Sequence, residues 1–477
     1  MNEKQKRKKA VEAMYNSKTF DKKIVLIGYG AIGTALLHLL LKIIKINLNN
    51  IKIIDKNSNR FLNCKYSVNK IHVKLTKDNT RDILVNKLQL GQDDIIIDCS
   101  YEINTNFMFS LCSEYGISYI NSAVEVWSKE EKLVEKDYTF YQRIKSLEDQ
   151  NNLQKVKKNN FIISLGCNPG NINIWTLYAL EILNNKKDKF KFDSYADLAN
   201  KMGLRVIHIS EKDSQISKIP KRKWEYVNTW SSDAISWYDE AFGNLEIGWG
   251  THEKKIPTNI NKDLSNEYQI VLNDEGFKSF GYSFTPISEN IVGMLIRHEE
   301  CFTITKKLTK RDDQQKIVYK PSCYYIYKPC DASFVSTYEV LDNYRNYQEN
   351  KRLMTDDIIK GYDEVGCTLF FENGEIWWFG SLLDIEEARS IFDNEINNLI
   401  NSTILQVISG YLGGILYLID KIEKKEYKGL LLPEDLPIRQ FIKWTKPFLG
   451  PLGLYKVDNW TVDTKKDALW QFSDFIY

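Results

Sequence analysis

The first third of the chain alternates short apolar runs with segments of helical apolar spacing. Residues 24–28 are apolar and rich in β-branched side chains, which predicts a strand buried on both faces of a parallel sheet. Residues 31–46 place apolar side chains on one helix face. Further strands are predicted at 51–55, 94–99, 118–121 and 161–166, with a helix over 107–115. This alternation predicts an α/β fold with a doubly wound parallel sheet.

The pattern changes after about residue 171. Strand-like segments rich in aromatic and β-branched residues occur at 205–209, 291–296, 323–327 and 375–379. The last follows an Asn-Gly turn at 373–374, which is typical of a hairpin. We therefore predict a first domain over 1–170 and a second, α+β domain over 171–399. Helices are predicted at 385–400 and 405–419, and we expect the part from about 400 to 477 to complete the first domain.

Composition and charge narrow the function classes. The 477 residues, 43% hydrophobic and 27% charged, are typical of a soluble globular protein. A net charge of +2 gives no attraction to nucleic acid or to an anionic membrane. Glycines and lysines interrupt the apolar stretch 24–46, which argues against a membrane span. Eight cysteines without a CxxC pair or zinc spacing predict reduced thiols, a cytoplasmic location and no metal.

A glycine motif follows the first predicted strand and opens a helix. In Gly28-x-Gly30-x-x-Gly33 the first glycine permits a tight turn, the second admits the pyrophosphate, and the third allows close helix–strand packing. Asp55 ends the next strand and can bind the ribose hydroxyls, which favours NAD, although Lys56 leaves room for a 2′-phosphate. The motif predicts a Rossmann-type NAD-binding domain. Its expected cofactor contacts are Gly28, Gly30, Ala31, Ile32, Gly33, Asp55 and Ser100.

Later motifs combine polar residues with aromatics in an order that a plain core does not require. Taken singly, each is ambiguous. Asn168 precedes Pro-Gly and is typical of a turn. His298 at a strand end fits a structural histidine as well as a catalytic one, and Trp230 fits a core aromatic. Lone glutamates such as Glu125 and Glu246 are ordinarily solvated or ion-paired.

Taken together, the motifs resemble one family. The ordered set GYGAIG, VEVW, GCNPG, VIHISEKDSQ, VNTWS, EIGWGTHE, KPSCYYIYKPCDA, DEVG and WWFGS resembles the bacterial-type homospermidine synthases, distant relatives of saccharopine dehydrogenase and carboxynorspermidine synthase. The resemblance runs from about residue 23 to 455, and its HISEKD, NTW and GWGTHE motifs are specific. The chain departs from the family at Val126, where Pro is more usual, and at Tyr324, where His is expected.

This resemblance implies an enzyme that joins two putrescines into sym-homospermidine and releases ammonia. NAD would take up a hydride and return it within the same turnover, and other diamines or spermidine could also be substrates. The family also implies a homodimer, in which the second domain binds substrate and mediates dimerisation. The many aromatic residues of that domain could serve such an interface, or they could fill the core.

The resemblance also assigns site residues. Putrescine is a dication near neutral pH, so its site needs carboxylates and aromatic faces. The implied roles are binding of the reacting amine by Asn168 and Glu211, binding of the distant ammonium groups by Glu125 and Glu246, a cation–π wall from Trp230, proton shuttling by His298 and Asp363, and a further contact from Glu102.

Two other functions stay open at this point. A reductase of the carboxynorspermidine or saccharopine type would need arginines to bind substrate carboxylates, and Arg205 and Arg297 lie within the motifs. A non-catalytic sensor of dinucleotide and polyamine would use the same binding groups without any chemistry.

Overall fold

The structure is a computed structural model that describes residues 3–101, 103–127, 138–187, 189–232, 234–343, 346–392, 396–458, 460 and 469–477. The described residues fall into two compact units. The first takes its residues from Met1–Leu133, Phe140–Asn171 and Glu386–Leu449, and the second from Val134–Thr139, Ile172–Ile385 and Gly450–Tyr477.

Helices and strands are numbered in chain order. The helices are α1 (Glu3–Glu12), α2 (Ala31–Ile43), α3 (Thr105–Tyr115), α4 (Phe140–Leu153), α5 (Asn171–Lys186), α6 (Tyr195–Lys201), α7 (Ala234–Phe242), α8 (Glu299–Lys307), α9 (Asp331–Asp342), α10 (Ile385–Ser390), α11 (Ser402–Lys424) and α12 (Ile438–Thr445). The strands are β1 (Lys18–Thr19), β2 (Ile24–Ile27), β3 (Ile44–Lys45), β4 (Ile51–Asp55), β5 (Asn69–His72), β6 (Ile95–Asp98), β7 (Ser118–Asn121), β8 (Asn160–Ile162), β9 (Leu204–Asp213), β10 (Ile216–Ser217), β11 (Glu225–Asn228), β12 (Asn244–Gly248), β13 (Gln269–Glu275), β14 (Phe280–Thr285), β15 (Glu289–Ile296), β16 (Lys310–Arg311), β17 (Ile317–Tyr319), β18 (Ser322–Lys328), β19 (Asn350–Leu353), β20 (Ile358–Lys360), β21 (Tyr362–Phe371), β22 (Ile376–Asp384), β23 (Gly429–Leu431) and β24 (Leu452–Lys456).

The first unit is built on a parallel sheet in the order β23-β8-β7-β6-β2-β4-β5. All four residues of β2 are buried, as expected for a parallel strand that is covered on both faces. The chain runs outward from β2 on one side through β4 and on the other through β6, which is the strand order at which ligands bind in doubly wound folds. The predicted Rossmann-type sheet is confirmed.

Helix α11 packs against this sheet, as the sequence predicted for residues 405–419. Its Tyr411 hydroxyl donates to the Asp98 carbonyl at 2.7 Å. Gly410 allows a close approach, because a Cβ there would lie 2.0 Å from the Gly166 carbonyl oxygen. By length and composition α11 could cross a membrane, but 94% of its most apolar window is buried inside the fold, as in the core helix of a soluble protein.

The second unit contains a mixed sheet in the order β13-β12-β18-β9-β21-β22-β24, with β15 and β14 joined to it through β18. Strand β9 is parallel to β18 and antiparallel to β21. The hairpin β21–β22 turns at Asn373-Gly374, where Gly374 has a φ of +84°. This arrangement confirms the α+β architecture expected for the second domain.

Several boundaries differ from the sequence prediction. The first unit takes up the chain again at Glu386 rather than at about residue 400, so the second domain expected over 171–399 ends earlier. The helix expected over 385–400 ends at Ser390. Strand β8 ends at Ile162, because the chain leaves the sheet where Ser164 takes a φ of +57°. Residues 450–477 belong to the second unit rather than the first, because β24 pairs with β22.

Candidate active site

The glycine motif forms a cradle at the start of α2. Gly28 has a φ of +87°, and a Cβ there would lie 2.7 Å from the Cys99 carbonyl oxygen. A Cβ on Gly33 would lie 2.1 Å from the Gly28 carbonyl oxygen. The nearest atom to a Cβ on Gly30 is Arg60 Nη1, at 3.7 Å. The first and third glycines are therefore required by the protein's own backbone, whereas the second borders open space.

No capping or acidic side chain of α2 competes with a bound anion for the N-terminus of this helix. Gly30 is the capping residue, no side chain caps the helix, and its first turn contains no acidic residue. The first amides of a helix lack partners inside the helix, and together with the helix dipole they favour an anion. The amides of Ala31, Ile32 and Gly33 lie in this turn, so the cradle fits the pyrophosphate of a dinucleotide.

Asp55 lies beside this cradle at the end of β4. Its buried carboxylate accepts hydrogen bonds from the Tyr29 amide at 2.6 Å and the Asn57 amide at 2.7 Å. Arg60 Nη1 contacts the same carboxylate at 3.1 Å. Arg60 was not predicted from the sequence, which pointed instead to Lys56, an exposed residue. No motif marks Arg60, because it reaches Asp55 from a separate 3₁₀ turn, Ser58–Asn63.

Ser100 lies at the same edge of the sheet, just after β6. Its amide and its hydroxyl both donate to Asp98 Oδ1, at 2.9 and 2.6 Å, and the Tyr119 hydroxyl donates to Oδ2 at 2.8 Å. Burial raises the pKa of Asp98, and these hydrogen bonds oppose the rise. The predicted cofactor residues therefore gather at the carboxyl edge of the sheet.

Glu125 and Asn168 lie in the first unit as well. The Glu125 amide donates to Thr105 Oγ1 at 2.9 Å, and the Thr105 amide donates back to the Glu125 carbonyl at 3.0 Å, which anchors the half-buried Glu125 at the start of α3. Asn168 is half-buried and lies in a loop whose other residues are buried. The Gly166 amide closes this loop by donating to the Pro169 carbonyl at 2.8 Å. Glu102 lies outside the described residues.

In the second unit, strand register places carboxylates and phenols on one sheet face. Tyr327 of β18 pairs with Glu211 of β9, and Asp363 of β21 pairs with Asp213 of β9. Directly paired residues share a face, and so do residues two apart on a strand, which adds Tyr325. We call these five residues the acidic face. The opposite face is mainly apolar and is packed with residues such as Val206, Tyr324, Trp378 and Phe475, although it also carries the buried His208 and Ser210 of β9.

Glu211 forms the best-defined contact of the acidic face. The Tyr325 hydroxyl donates to Glu211 Oε2 at 2.6 Å, and both residues are buried. The Tyr327 ring stacks on the Tyr325 ring with centroids 5.6 Å apart. Burial and the Glu211 carboxylate raise the pKa values of both tyrosines well above 10, so both stay protonated at neutral pH.

His298 lies between two carboxylates next to this face. Its Nδ1 is 2.9 Å from Glu300 Oε1, its Nε2 is 3.4 Å from Glu240 Oε2, and its ring lies 4.9 Å from that of Tyr325. Burial disfavours the charged imidazole, but Glu300 and Glu240 outweigh it and raise the pKa of His298 well above 6.5. The side chain is therefore an imidazolium near neutral pH.

Glu240 and Glu300 were not predicted as site residues from the sequence. Glu300 follows His298 by two positions, and this spacing could have suggested the pair. Glu240 comes from α7, far along the chain from His298, and no sequence signal marks it.

Trp230 belongs to a turn that is tied to β9. Asn228 Oδ1 accepts from the Thr229 and Trp230 amides at 2.6 and 3.2 Å, and Thr229 Oγ1 donates to Asp213 Oδ2 at 2.7 Å. This network connects the half-buried indole to a residue of the acidic face. Asp213 lies in the HISEKD motif but was not predicted as a site residue.

Glu246 has a different environment from Glu211. It is buried on β12, accepts from Gln269 Nε2 at 3.1 Å and lies 3.6 Å from Arg297 Nη1. Arg297 also donates from Nε to the Asp239 carbonyl at 3.1 Å. The charge of Glu246 is therefore balanced by a cation of the protein itself.

The carboxylates and aromatic rings gathered around the acidic face suit the binding of an organic cation. The structure brings Glu211 and His298 together through Tyr325, and Asp363 and Trp230 together through Asp213. Within the described residues, no group of three or more His, Cys, Asp or Glu side chains is arranged to hold a metal ion. Carboxylates beside aromatic rings instead form a surface on which an alkyl ammonium group binds favourably.

Comparisons with known proteins place the chain among similar sequences and folds. Residues 24–156 match the family described as saccharopine dehydrogenase NADP binding domain. The homospermidine synthase of Blastochloris viridis is 29% identical, with 92% of each chain covered, and that of Mesorhizobium japonicum is 25% identical, with 95% of this chain and 96% of the relative covered.

A solved structure agrees. The homospermidine synthase of Legionella pneumophila in complex with NAD superposes with a TM-score of 0.83 at 29% identity, covering 96% of this chain and 98% of that one. Saccharopine dehydrogenase (L-Glu forming) of Saccharomyces cerevisiae shares the fold at a TM-score of 0.53 and 11% identity. The family resemblance drawn from the motifs is confirmed.

Proposed function

We infer that this chain is an NAD-dependent enzyme that condenses two putrescines to sym-homospermidine and releases ammonia. In sequence and in fold, the chain belongs with the bacterial-type homospermidine synthases. The observation that carries this inference beyond the resemblance is the acidic face, where Glu211, Asp213 and Asp363 lie beside tyrosine rings. A dicationic diamine needs such a surface, because its ammonium groups leave water only for carboxylates and aromatic faces.

The cofactor site fits NAD. The cradle of Gly28, Gly30 and Gly33 accommodates the pyrophosphate, and the Asp55 carboxylate is positioned to accept from the ribose hydroxyls. When bound, NAD supplies a hydride acceptor for a C–N carbon of the first putrescine and returns that hydride after the second amine has condensed. The protein's contribution is to bind, to orient and to control protons.

In the second unit, Glu211 is the proposed ligand of the reacting amine. Its carboxylate is buried and oriented by Tyr325, so it can compensate one ammonium charge. Trp230 is the proposed cation–π wall, held by the turn that Asn228 and Asp213 stabilise. In the first unit, Glu125 and Asn168 remain the proposed ligands for amine groups, and Glu246 in the second unit remains a weaker candidate because Arg297 already balances its charge.

Proton transfer is assigned to His298 and Asp363. Glu240 and Glu300 keep His298 protonated near neutral pH, which makes it a proton donor for departing ammonia rather than a base. Asp363 is buried on the acidic face and is the proposed partner in the proton shuttle.

The arginines argue against a saccharopine-type substrate. Arg297 is buried and contacts Asp239 and Glu246, and Arg205 pairs with Glu372 at 2.6 Å. Because each already compensates a carboxylate of the protein, neither is arranged to bind a substrate carboxylate. This observation favours a diamine over an amino-acid substrate.

We also propose that the enzyme is a cytoplasmic homodimer that accepts related diamines or spermidine. All eight cysteines are free thiols, which fits a reducing compartment. Light scattering of the purified chain tests the dimer, and a panel of diamines tests the substrate range.

The decisive experiment supplies putrescine with a catalytic amount of NAD and looks for homospermidine by mass spectrometry and for ammonia. We expect both products in many-fold excess over NAD. Glu211→Gln should abolish turnover while leaving NAD bound, and the exposed ion-pair variant Glu372→Gln should stay active.

Other outcomes would support the alternatives. Stoichiometric NADPH consumption with an amino-acid aldehyde would instead support a reductase. Putrescine binding without ammonia release and without any change in nicotinamide fluorescence would support a sensor.

A further inference from the structure

Glu211 faces an unusual electrostatic problem. It is buried together with two more carboxylates, Asp213 on its own strand and Asp363 on β21, and all three raise the pKa of the neighbouring Tyr327. Burial and like charges both favour the neutral form of a carboxylic acid. A group that must bind an ammonium ion, however, has to be ionised.

Several described groups near Glu211 act on its charge. Strand β18 contributes Tyr325 and Tyr327, and beyond Tyr325 lie the imidazolium of His298 and the carboxylate of Glu300. Glu300 already contacts His298 Nδ1 and so offsets much of the imidazolium's field. Among these groups, Tyr325 makes the defined hydrogen bond to the Glu211 carboxylate.

We propose that Tyr325 is a positioning residue for Glu211: its hydroxyl holds the carboxylate in one orientation and keeps it ionised within the acidic face. The proposal deepens the proposed function and rests on it in taking Glu211 as the amine ligand. At 2.6 Å the bond has the length of a charge-assisted O–H···O⁻ hydrogen bond.

The geometry gives Tyr325 little freedom. Its ring is stacked on that of Tyr327 and lies 4.9 Å from that of His298, so the hydroxyl cannot swing away from Glu211 without disturbing both neighbours. The raised pKa of Tyr325 keeps its hydroxyl protonated, so it can donate to the ionised Glu211 carboxylate. The hydrogen bond thereby fixes the Oε2 end of the carboxylate, and the carboxylate so oriented is the proposed contact for the amine.

The test compares Tyr325→Phe with Tyr324→Phe in the full-length, NAD-loaded enzyme. Tyr324 is the adjacent buried tyrosine on the opposite face, and its hydroxyl has no hydrogen-bond partner among the described residues, so this control removes a hydroxyl and no bond. We expect Tyr325→Phe to lower kcat/KM for putrescine by about tenfold or more, the value of one such bond.

The pH profile separates positioning from packing. Without the donor, the pKa of Glu211 should rise, so the acidic limb of kcat/KM should move to higher pH by about one unit. NAD affinity should be unchanged, and Tyr324→Phe should follow the wild type. A Tyr325→Phe enzyme with a wild-type profile and activity within about twofold would overturn the proposal, and so would an equal shift in Tyr324→Phe.

A second measurement does not depend on the reaction. Infrared difference spectra over pH should show a protonated-carboxyl band that is absent in Glu211→Gln and that appears at higher pH in Tyr325→Phe than in the wild type. If the wild type makes no homospermidine, the proposed function fails while this band still decides the role of Tyr325. A band with the same pH midpoint in both proteins would refute that role.

Discussion

Gly33 offers the sharpest test of the cofactor site, because a single methyl group there meets backbone. In Gly33→Ala the new Cβ would lie 2.1 Å from the Gly28 carbonyl oxygen and 3.1 Å from its carbonyl carbon. A comfortable carbon–oxygen contact needs about 3.3 Å. The start of α2 and the end of β2 must therefore separate by about 1 Å, and neither partner is a flexible side chain.

Two opposing effects set the size of the change. Alanine is favoured over glycine inside a helix by about 1 kcal/mol, whereas overpacking of this kind costs about 1–3 kcal/mol. We expect a net loss of about 0–2 kcal/mol in the free energy of unfolding. The loss in NAD binding should be larger, because moving the helix amides weakens charge-assisted hydrogen bonds worth about 1.5–3 kcal/mol, or about 10- to 150-fold in Kd.

The assay is a fluorescence titration of NADH together with thermal denaturation. Gly91→Ala is the matched control in the same unit, because a Cβ there meets nothing within 4 Å. This control should bind NADH like the wild type and be equally or slightly more stable. A Gly33→Ala protein with wild-type Kd and Tm would refute the reasoning.

Three further changes test the remaining groups. Asp55→Asn removes the charge that repels a 2′-phosphate and releases Arg60, so the Kd ratio of NADPH to NADH should fall by about tenfold in a fluorescence titration; an unchanged ratio would exclude this role. Trp230→Ala should raise the KM for putrescine by about 2- to 30-fold with little effect on NAD, and an unchanged KM would exclude the cation–π wall. Burial raises the pKa of Glu253 to about 7 and lowers that of His252 to about 4, so stability from Glu253 is lost as the pH rises through 7 and stability from His252 is lost as the pH falls through 4. Glu253→Gln removes the Glu253 effect and leaves only the His252 effect. Between pH 6.5 and 4.5 the free energy of unfolding of this variant, measured by urea titration, should therefore drop by about 3 kcal/mol relative to the wild type. Parallel plots of unfolding free energy against pH for the two proteins would contradict these pKa shifts.

Much of the first unit could be predicted because its signals are local. A buried parallel strand shows as an apolar run, and the glycine cradle needs particular residues at fixed spacing, since a Cβ at Gly28 or Gly33 would collide with backbone. Arg60 was missed because its contact with Asp55 depends on the path of a short turn, which leaves no periodic pattern.

The second unit was harder to predict because its strands pair across long stretches of sequence. The motif around Glu211 could be recognised, but the hydroxyl that orients its carboxylate comes from β18 and became visible only through strand register. The same register separates two adjacent tyrosines, Tyr325 on the acidic face and Tyr324 in the apolar core.

The sequence by itself determined the dinucleotide fold, the family and most of the charged residues of the candidate site, because these follow from local spacing and from residue type. Only the tertiary structure decided which partner each of those charges meets. Arg297 balances Glu246, Glu240 and Glu300 raise the pKa of His298, and the Tyr325 hydroxyl donates to Glu211. The physical reason is that burial makes each charge depend on its nearest partner, and those partners come from elements that only folding brings together.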